Sequence, residues 1–167
     1  EQGFKNILEY AFCPLMGFES RDSQSLARLI RETGLKPQEF FTGRAQRLQE
    51  DLRAELERLR GVFLPPVRAF EEKMRRCGRV EQFARGVMLF LEEYNLARKL
   101  QEDINRLEEM GFPSQADEAR QVWELSVNLL EQLERLLGER AIDRKQFAGM
   151  LAQGFKRSEI GVLPSSV

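Results

Sequence analysis

The chain has 167 residues, of which 42% are hydrophobic and 32% are charged, and its formal net charge is -1. This composition provides enough apolar material for one domain with a buried core. The nearly balanced charge excludes an overall attraction to DNA or to an acidic membrane, so any nucleic-acid contact has to be local. No apolar run approaches the roughly 20 residues of a membrane span, and the first residues lack a signal-peptide pattern.

Residue types that support catalysis and metal binding are scarce. The sequence has no histidine, the commonest general base and transition-metal ligand. Its two cysteines, Cys13 and Cys77, are too far apart in sequence for a zinc ribbon, and phosphate-loop motifs are absent. Adjacent carboxylates such as Glu92 and Glu93 diverge on a helix and do not converge on one substrate atom. We therefore expect no catalytic residue, no metal and no cofactor in this segment, and a reducing cytoplasm as its compartment.

Both ends of the sequence are typical of a segment taken from a longer protein. The chain begins at Glu1 without an initiator Met and ends in residues 160–167, an apolar stretch that predicts a strand. We expect one helical domain, an insertion in a larger protein, with an N-terminal segment at 1–22, a helical bundle at 23–157 and an exit strand at 158–167. Because an insertion leaves its host uninterrupted, the two chain ends are expected to lie close together.

In the first half of the chain, apolar residues recur at helical spacing from about Ser23 onwards. A first helix is predicted to begin at the capping residues Asp22 and Ser23 and to end at Gly34, and a short helical turn follows at Pro37. A long amphipathic helix is predicted from the apolar stripe Leu48, Leu52, Leu56, Leu59 and Phe63.

A pair of prolines, Pro65 and Pro66, follows this stripe directly. Proline lacks an amide N-H and disfavours helix at the residue before it. The pair is therefore expected to interrupt the long helix and to begin a new one, which runs to Gly78.

In the second half, further apolar stripes predict helices that start near Val80, Leu96, Ser114 and Asp143. Asn95 marks a break between two of them. Asp143 and Gln146 have the spacing of a capping box at the start of the last helix. No internal repeat emerges. The predicted fold is all-α, an irregular bundle of about six to eight helices with short extended segments at the termini.

The best candidate for a nucleic-acid contact is the basic cluster around Arg75, Arg76 and Arg79, which also includes Lys73 and Arg85. Arginine binds phosphate oxygens with two parallel hydrogen bonds. A structural role is the favoured alternative, because cations in the last turn of a helix complement its dipole without any ligand. Both interpretations remain open at this point.

Three groups of short strings carry a family resemblance. The first comprises residues 65–73 (PPVRAFEEK), 80–83 (VEQF) and 89–94 (LFLEEY); the second comprises 119–123 (ARQVW) and 127–133 (VNLLEQL). The third comprises Phe147, the pair Gly154 and Phe155, and residues 160–167 (IGVLPSSV). Together they resemble the middle of AddB (RexB-like) subunits of the bacterial AddAB ATP-dependent helicase-exonuclease.

The resemblance implies a specific place for the chain, the helical, 2B-like insertion in the second helicase-like domain of an AddB subunit. That family's phosphate loop and iron-sulfur nuclease domain would lie outside this segment. The implied partners are the rest of the AddB-like chain, an AddA-like helicase subunit and duplex DNA reached through the parent protein, with no membrane. The parent would act in double-strand break repair and recombination, and this segment would be non-catalytic. The alternative is a free-standing helical module that binds another protein.

Overall fold

A computed structural model describes the backbone of residues 2–159 and the side chains of residues 5–157. These residues form eight α-helices: α1 (Gln2–Ala11), α2 (Ser20–Thr33), α3 (Pro37–Thr42), α4 (Glu50–Arg75), α5 (Val80–Glu93), α6 (Leu96–Glu109), α7 (Pro113–Leu137) and α8 (Arg144–Glu159). Within the described range the only β-type pairing is the isolated antiparallel bridge between Arg79 and Ala141. The predicted all-α class is confirmed. The predicted exit strand at 158–167 lies mostly outside the described residues.

The chain divides into two compact units, Glu1–Ala69 and Phe70–Val167, and α4 contributes residues to both. The sequence predicted one inserted domain with neighbouring ends; that assignment stays a prediction, since both ends lie outside the described residues. None of the described helices is long and apolar enough to cross a membrane.

The first unit is built around the apolar faces of α1, α2 and the first part of α4. Leu26, Leu59 and Phe63 are almost completely buried. Phe18 extends this core through edge-to-face contacts with Tyr10 and Phe63, with ring centroids 5.2 and 4.7 Å apart. The stripe of alternating three- and four-residue steps that predicted α4 therefore forms one wall of the core.

The N-terminal segment differs from the expectation in two respects. The sequence predicted an entry segment at 1–22 with a short extended stretch at the terminus and no helix before about Ser23, yet Gln2–Ala11 form α1, because Ile7 and Ala11 on one helical face are buried in the first core. The second helix begins at Ser20 rather than near Ser23. The Ser23 hydroxyl does not cap that helix; it is buried and donates a hydrogen bond to the carbonyl of Ala11 at 2.5 Å, which fastens α2 to the end of α1.

The expected interruption at Pro65 and Pro66 is wrong, since α4 continues through both prolines to Arg75. Proline fixes φ near the helical value, so it forbids two hydrogen bonds without forbidding the helical path. Packing holds the helix at this point: Phe63 and Leu64 are buried, and the Tyr10 hydroxyl donates to the carbonyl of Phe63 at 3.0 Å. Burial of the flanking residues thus outweighs the local preference.

The second unit contains the end of α4 and helices α5 to α8. Helices α5, α6 and α8 all pack against α7. The rings of Phe83 on α5 and Phe147 on α8 stack with centroids 5.2 Å apart, and both are buried. This pair forms the centre of the second core, together with Met74, Val80, Ala84, Leu130 and Ile142.

Three predicted helix boundaries are confirmed in detail. Gly34 takes a left-handed conformation (φ 58°) after α2, and its N-H bonds to the carbonyl of Ile30. Asn95 is left-handed (φ 51°) between α5 and α6. The capping box before α8 is complete: Gln146 N-H donates to Asp143 Oδ1 at 2.7 Å, and Asp143 N-H donates to Gln146 Oε1 at 2.9 Å.

Candidate nucleic-acid interface

The three candidate arginines lie at the junction between α4 and α5, and all three are exposed. Arg75 occupies the last turn of α4, and Arg79 is the residue that precedes α5. Arg75 pairs with Glu72 on its own helix at 2.9 Å. An ion pair between groups this exposed contributes little to stability, but it lowers the positive charge that Arg75 offers to a phosphate.

A second loop, residues 138–142, lies against this junction and holds it in place. The amide of Val80 donates to the carbonyl of Arg140 at 3.1 Å, and the amide of Ile142 donates to the carbonyl of Gly78 at 3.0 Å. These bonds form the bridge between Arg79 and Ala141. Sequence reasoning missed the second loop, which adds Arg140 to the junction, because the two loops are about 60 residues apart and no local pattern signals their pairing.

The wider basic cluster does not act as one positive patch. Lys73 pairs with Glu93, and Arg85 pairs with Glu134 at 3.0 Å. Among the described residues, no ion pair involves Arg76 or Arg79. Of the five predicted cations, these two are therefore the ones left to face solvent without a carboxylate partner in the described part of the chain.

A shallow groove of about 530 Å³ adjoins the junction, lined by Glu71, Met74, Arg75, Cys77, Phe83, Ile142, Asp143 and Arg144. Arg144 reaches Glu71 across it at 3.4 Å. Burial raises the pKa of the Cys77 thiol, which donates to the carbonyl of Lys73 at 3.4 Å. The thiol is therefore held in its protonated, poorly nucleophilic form. No three His, Cys, Asp or Glu side chains of the described residues converge as metal ligands.

For Arg75 this geometry supports the structural interpretation, because the side chain lies in the last turn of α4 and is already paired with Glu72. For Arg76 and Arg79, which form no ion pair among the described residues, it favours neither interpretation. Contact of Arg75, Arg76 and Arg79 with nucleic acid stays a prediction.

Comparisons with known proteins relate the chain to one group of helicase/nuclease subunits. It is 23% identical over 99% of its length to the B subunit of the ATP-dependent helicase/deoxyribonuclease of Clostridioides difficile. The B subunits of the same name from Clostridium acetobutylicum and Bacillus cereus are 27% and 31% identical over 68% and 71% of the chain. No protein-family model matches the chain.

The chain spans only a small part of these relatives, 15% of the first protein and 10% of each of the other two. What it shares with them is therefore one segment and not their full domain set. The resemblance to the AddB family is confirmed: proteins named as the B subunit of an ATP-dependent helicase/deoxyribonuclease cover this chain at 23 to 31% identity.

Proposed function

We propose that the chain is a non-catalytic helical subdomain of the B subunit of an ATP-dependent helicase/nuclease that acts in double-strand break repair and recombination. In that protein it shapes the path of the DNA or the contact with an AddA-like helicase subunit. The observation that carries the proposal is the match of 99% of the chain to a piece that makes up 15% of a protein named as a helicase/deoxyribonuclease subunit.

The described residues support a scaffolding role. Many of their charged side chains pair with each other on the surface, as Arg58 does with Asp22 at 2.7 Å and Arg120 with Glu108 at 2.8 Å. Buried positions are nearly all apolar, with Ser23 the one buried polar residue described. This arrangement builds stable helical units, while active sites are expected elsewhere in the parent protein.

Weakening the second unit within the full-length parent protein tests the proposal. Phe83 is 1% exposed and stacks on Phe147, so Phe83→Ala should lower the stability of this unit by about 3 kcal/mol or more. Two activities would be measured in the assembled helicase/nuclease: cleavage of short single-stranded DNA, and ATP-dependent unwinding of a long duplex. We expect cleavage within about twofold of wild type and unwinding at least tenfold slower at a temperature where the unit unfolds.

Phe83→Leu is the matched control, because it keeps most of the buried volume and should retain both activities. Equal loss of cleavage and unwinding would assign the segment to the catalytic machinery. Full unwinding with an unfolded second unit would exclude a scaffolding role.

A free-standing interaction module remains the second candidate, and one observation favours it. Helix α7 exposes large apolar side chains, with Val122 61% and Leu136 69% exposed. In a free-standing module these side chains would belong to the surface that a partner protein covers, since larger exposed apolar patches mark such surfaces. The coding sequence on either side of this segment discriminates the two: helicase-like segments before it and a cysteine-bearing nuclease segment after it support the subdomain, and a complete short reading frame supports the module.

A further inference from the structure

Helix α8 has one buried face and one open face. Phe147 is buried on the first, and Gly154 approaches Leu129 of α7 there. The opposite face is exposed throughout and comprises Lys145, Ala148, Gly149, Ala152, Gln153 and Lys156. We call these six residues the α8 outer face.

The charged residues of α8 are almost all positive. Residues 144–158 carry four cations, Arg144, Lys145, Lys156 and Arg157, and the sequence has no acidic residue between Asp143 and Glu159. The chain as a whole has a net charge of -1, so positive charge is concentrated on this helix. Arg144 pairs with Glu71, whereas no ion pair within the described residues involves Lys145, Lys156 or Arg157.

Helix stability does not account for Lys145. It lies in the first turn of α8, where the helix dipole and the free amide groups favour anions and disfavour cations. The capping box already satisfies this helix end through Asp143 and Gln146. Lys145 therefore opposes the local electrostatics of its own helix, unlike Arg75 at the end of α4, whose charge favours the fold.

The side chains between the two lysines are small. Gly149 and Ala152 leave the helix backbone open on this face, and a Cβ added at Gly149 would meet no atom within 4 Å. Lys145 and Lys156 are about 16 Å apart along the helix axis. A linear anion can therefore lie close to the helix between two cations, with Gln153 available as a hydrogen-bond donor.

We propose that the α8 outer face binds the phosphodiester backbone of DNA, with Lys145 and Lys156 as the contacts. This inference rests on the proposed function and adds a DNA surface different from Arg75, Arg76 and Arg79. Charge complementarity identifies the occupant: cations that form no ion pair among the described residues and have no carboxylate between them fit a polyanion, and such contacts carry affinity without sequence preference.

The test measures binding of the 167-residue chain to a mixed-sequence duplex by fluorescence anisotropy across a salt series. Each phosphate contact contributes about 0.9 to the slope of log K against log salt. The double variant Lys145→Gln with Lys156→Gln should therefore lower the slope by about 2. Its melting temperature should change little, because Lys145 opposes the helix dipole whereas Lys156, in the last turn of α8, favours it.

The matched control is Arg98→Gln with Arg106→Gln, which removes the same charge from α6 of the same unit; both arginines are 66% exposed and pair on their own helix. It should leave the slope unchanged. Three results would overturn the proposal: an equal decrease of the slope in this control, an unchanged slope in the lysine variant, or no binding of the duplex by the wild-type chain at low salt.

A second variant, Ala152→Glu, places a carboxylate between the two lysines. It should bind the duplex more weakly than the wild-type chain does, while the helix stays folded. If the lysine variant instead keeps its DNA affinity but no longer assembles with the partner subunit, the face binds an acidic protein surface and the DNA proposal is wrong. Such a result leaves the subdomain assignment intact, since the unwinding assay with the Phe83 variants tests that assignment separately.

Discussion

Arg47 links three separate backbone segments of the first unit. Its guanidinium donates to the carbonyls of Thr33 and Gly34 at 2.6 and 2.9 Å, and so satisfies the end of α2. It also forms a two-pronged pair with Glu39, at 3.0 and 2.9 Å. Glu39 in turn accepts the amide of Lys36 at 2.7 Å, at the start of α3. One side chain thus ties the end of one helix to the beginning of the next.

This arrangement makes the stability of the first unit depend on pH. The hydrogen bonds from Arg47 and from the Lys36 amide lower the pKa of Glu39 from 4.5 to about 2. Because the pKa is depressed in the folded state, the contribution of Glu39 is fully present above pH 4.5 and disappears as the pH falls through 2. We expect Arg47→Gln to lower the urea midpoint of this unit at pH 7, and the difference from wild type to shrink between about pH 5 and pH 2.

Glu39→Gln provides the control for that titration, since it cannot lose a charge in this range. The urea midpoint of Glu39→Gln should therefore fall less than that of wild type between about pH 5 and pH 2. The contrary result is a difference in urea midpoint between wild type and Arg47→Gln that stays constant from neutral pH down to about pH 2. That result would show that Arg47 stabilises the unit through its contacts with the two carbonyls and not through its pair with Glu39.

At the scale of one element, α8 contains two glycines in opposite surroundings. A Cβ at Gly154 would lie 2.5 Å from Cδ1 of Leu129, whereas a Cβ at Gly149 would meet nothing within 4 Å. A side chain at 154 would therefore fit only if the end of the Leu129 side chain moved aside. At 149 the glycine costs the helix conformational entropy with no packing benefit in the described structure.

The same substitution should therefore have opposite effects at the two positions. Gly149→Ala should raise the free energy of unfolding by about 0.5 to 1 kcal/mol through helix propensity. Gly154→Ala should lower it by about 1 kcal/mol or more, because the new methyl group displaces Leu129. Urea unfolding followed by circular dichroism measures both. A stabilised Gly154→Ala variant would mean that the contact between α7 and α8 is looser than described.

At the scale of the whole molecule, the described residues form two helical units with an ion-paired surface and hold no convergent set of metal-ligating side chains. We expect the purified chain to hydrolyse no ATP and to cut no DNA. A coupled ATPase assay and a labelled-duplex cleavage assay measure these activities. Activity that follows the chain through every purification step and disappears on a single substitution in it would contradict this expectation.

Much of the secondary structure follows from the sequence alone. The stripe from Leu48 to Phe63 predicted the first part of α4, Gly34 and Asn95 predicted helix ends, and Asp143 with Gln146 predicted the start of α8. Each of these signals spans about 15 residues or fewer, and helix formation depends on local spacing and on end groups. The family resemblance likewise rested on short strings and was confirmed by relatives that cover the chain.

Tertiary structure alone decided the remaining features. The helix continues through Pro65 and Pro66 because buried residues hold its flanks, and Ser23 joins two helices because Ala11 lies beside it. The fold also decides which cation pairs with which carboxylate. Arg85 and Glu134, for example, form an ion pair although they are 49 residues apart in sequence. Periodicity specifies which face of a helix is apolar, but the neighbour that covers this face is set by the packing energy of the whole unit. The sequence by itself therefore determined most of the helix positions and the family, and the tertiary contacts determined the course of the chain at α1 and through Pro65 and Pro66, and which basic residues find a carboxylate partner among the described residues.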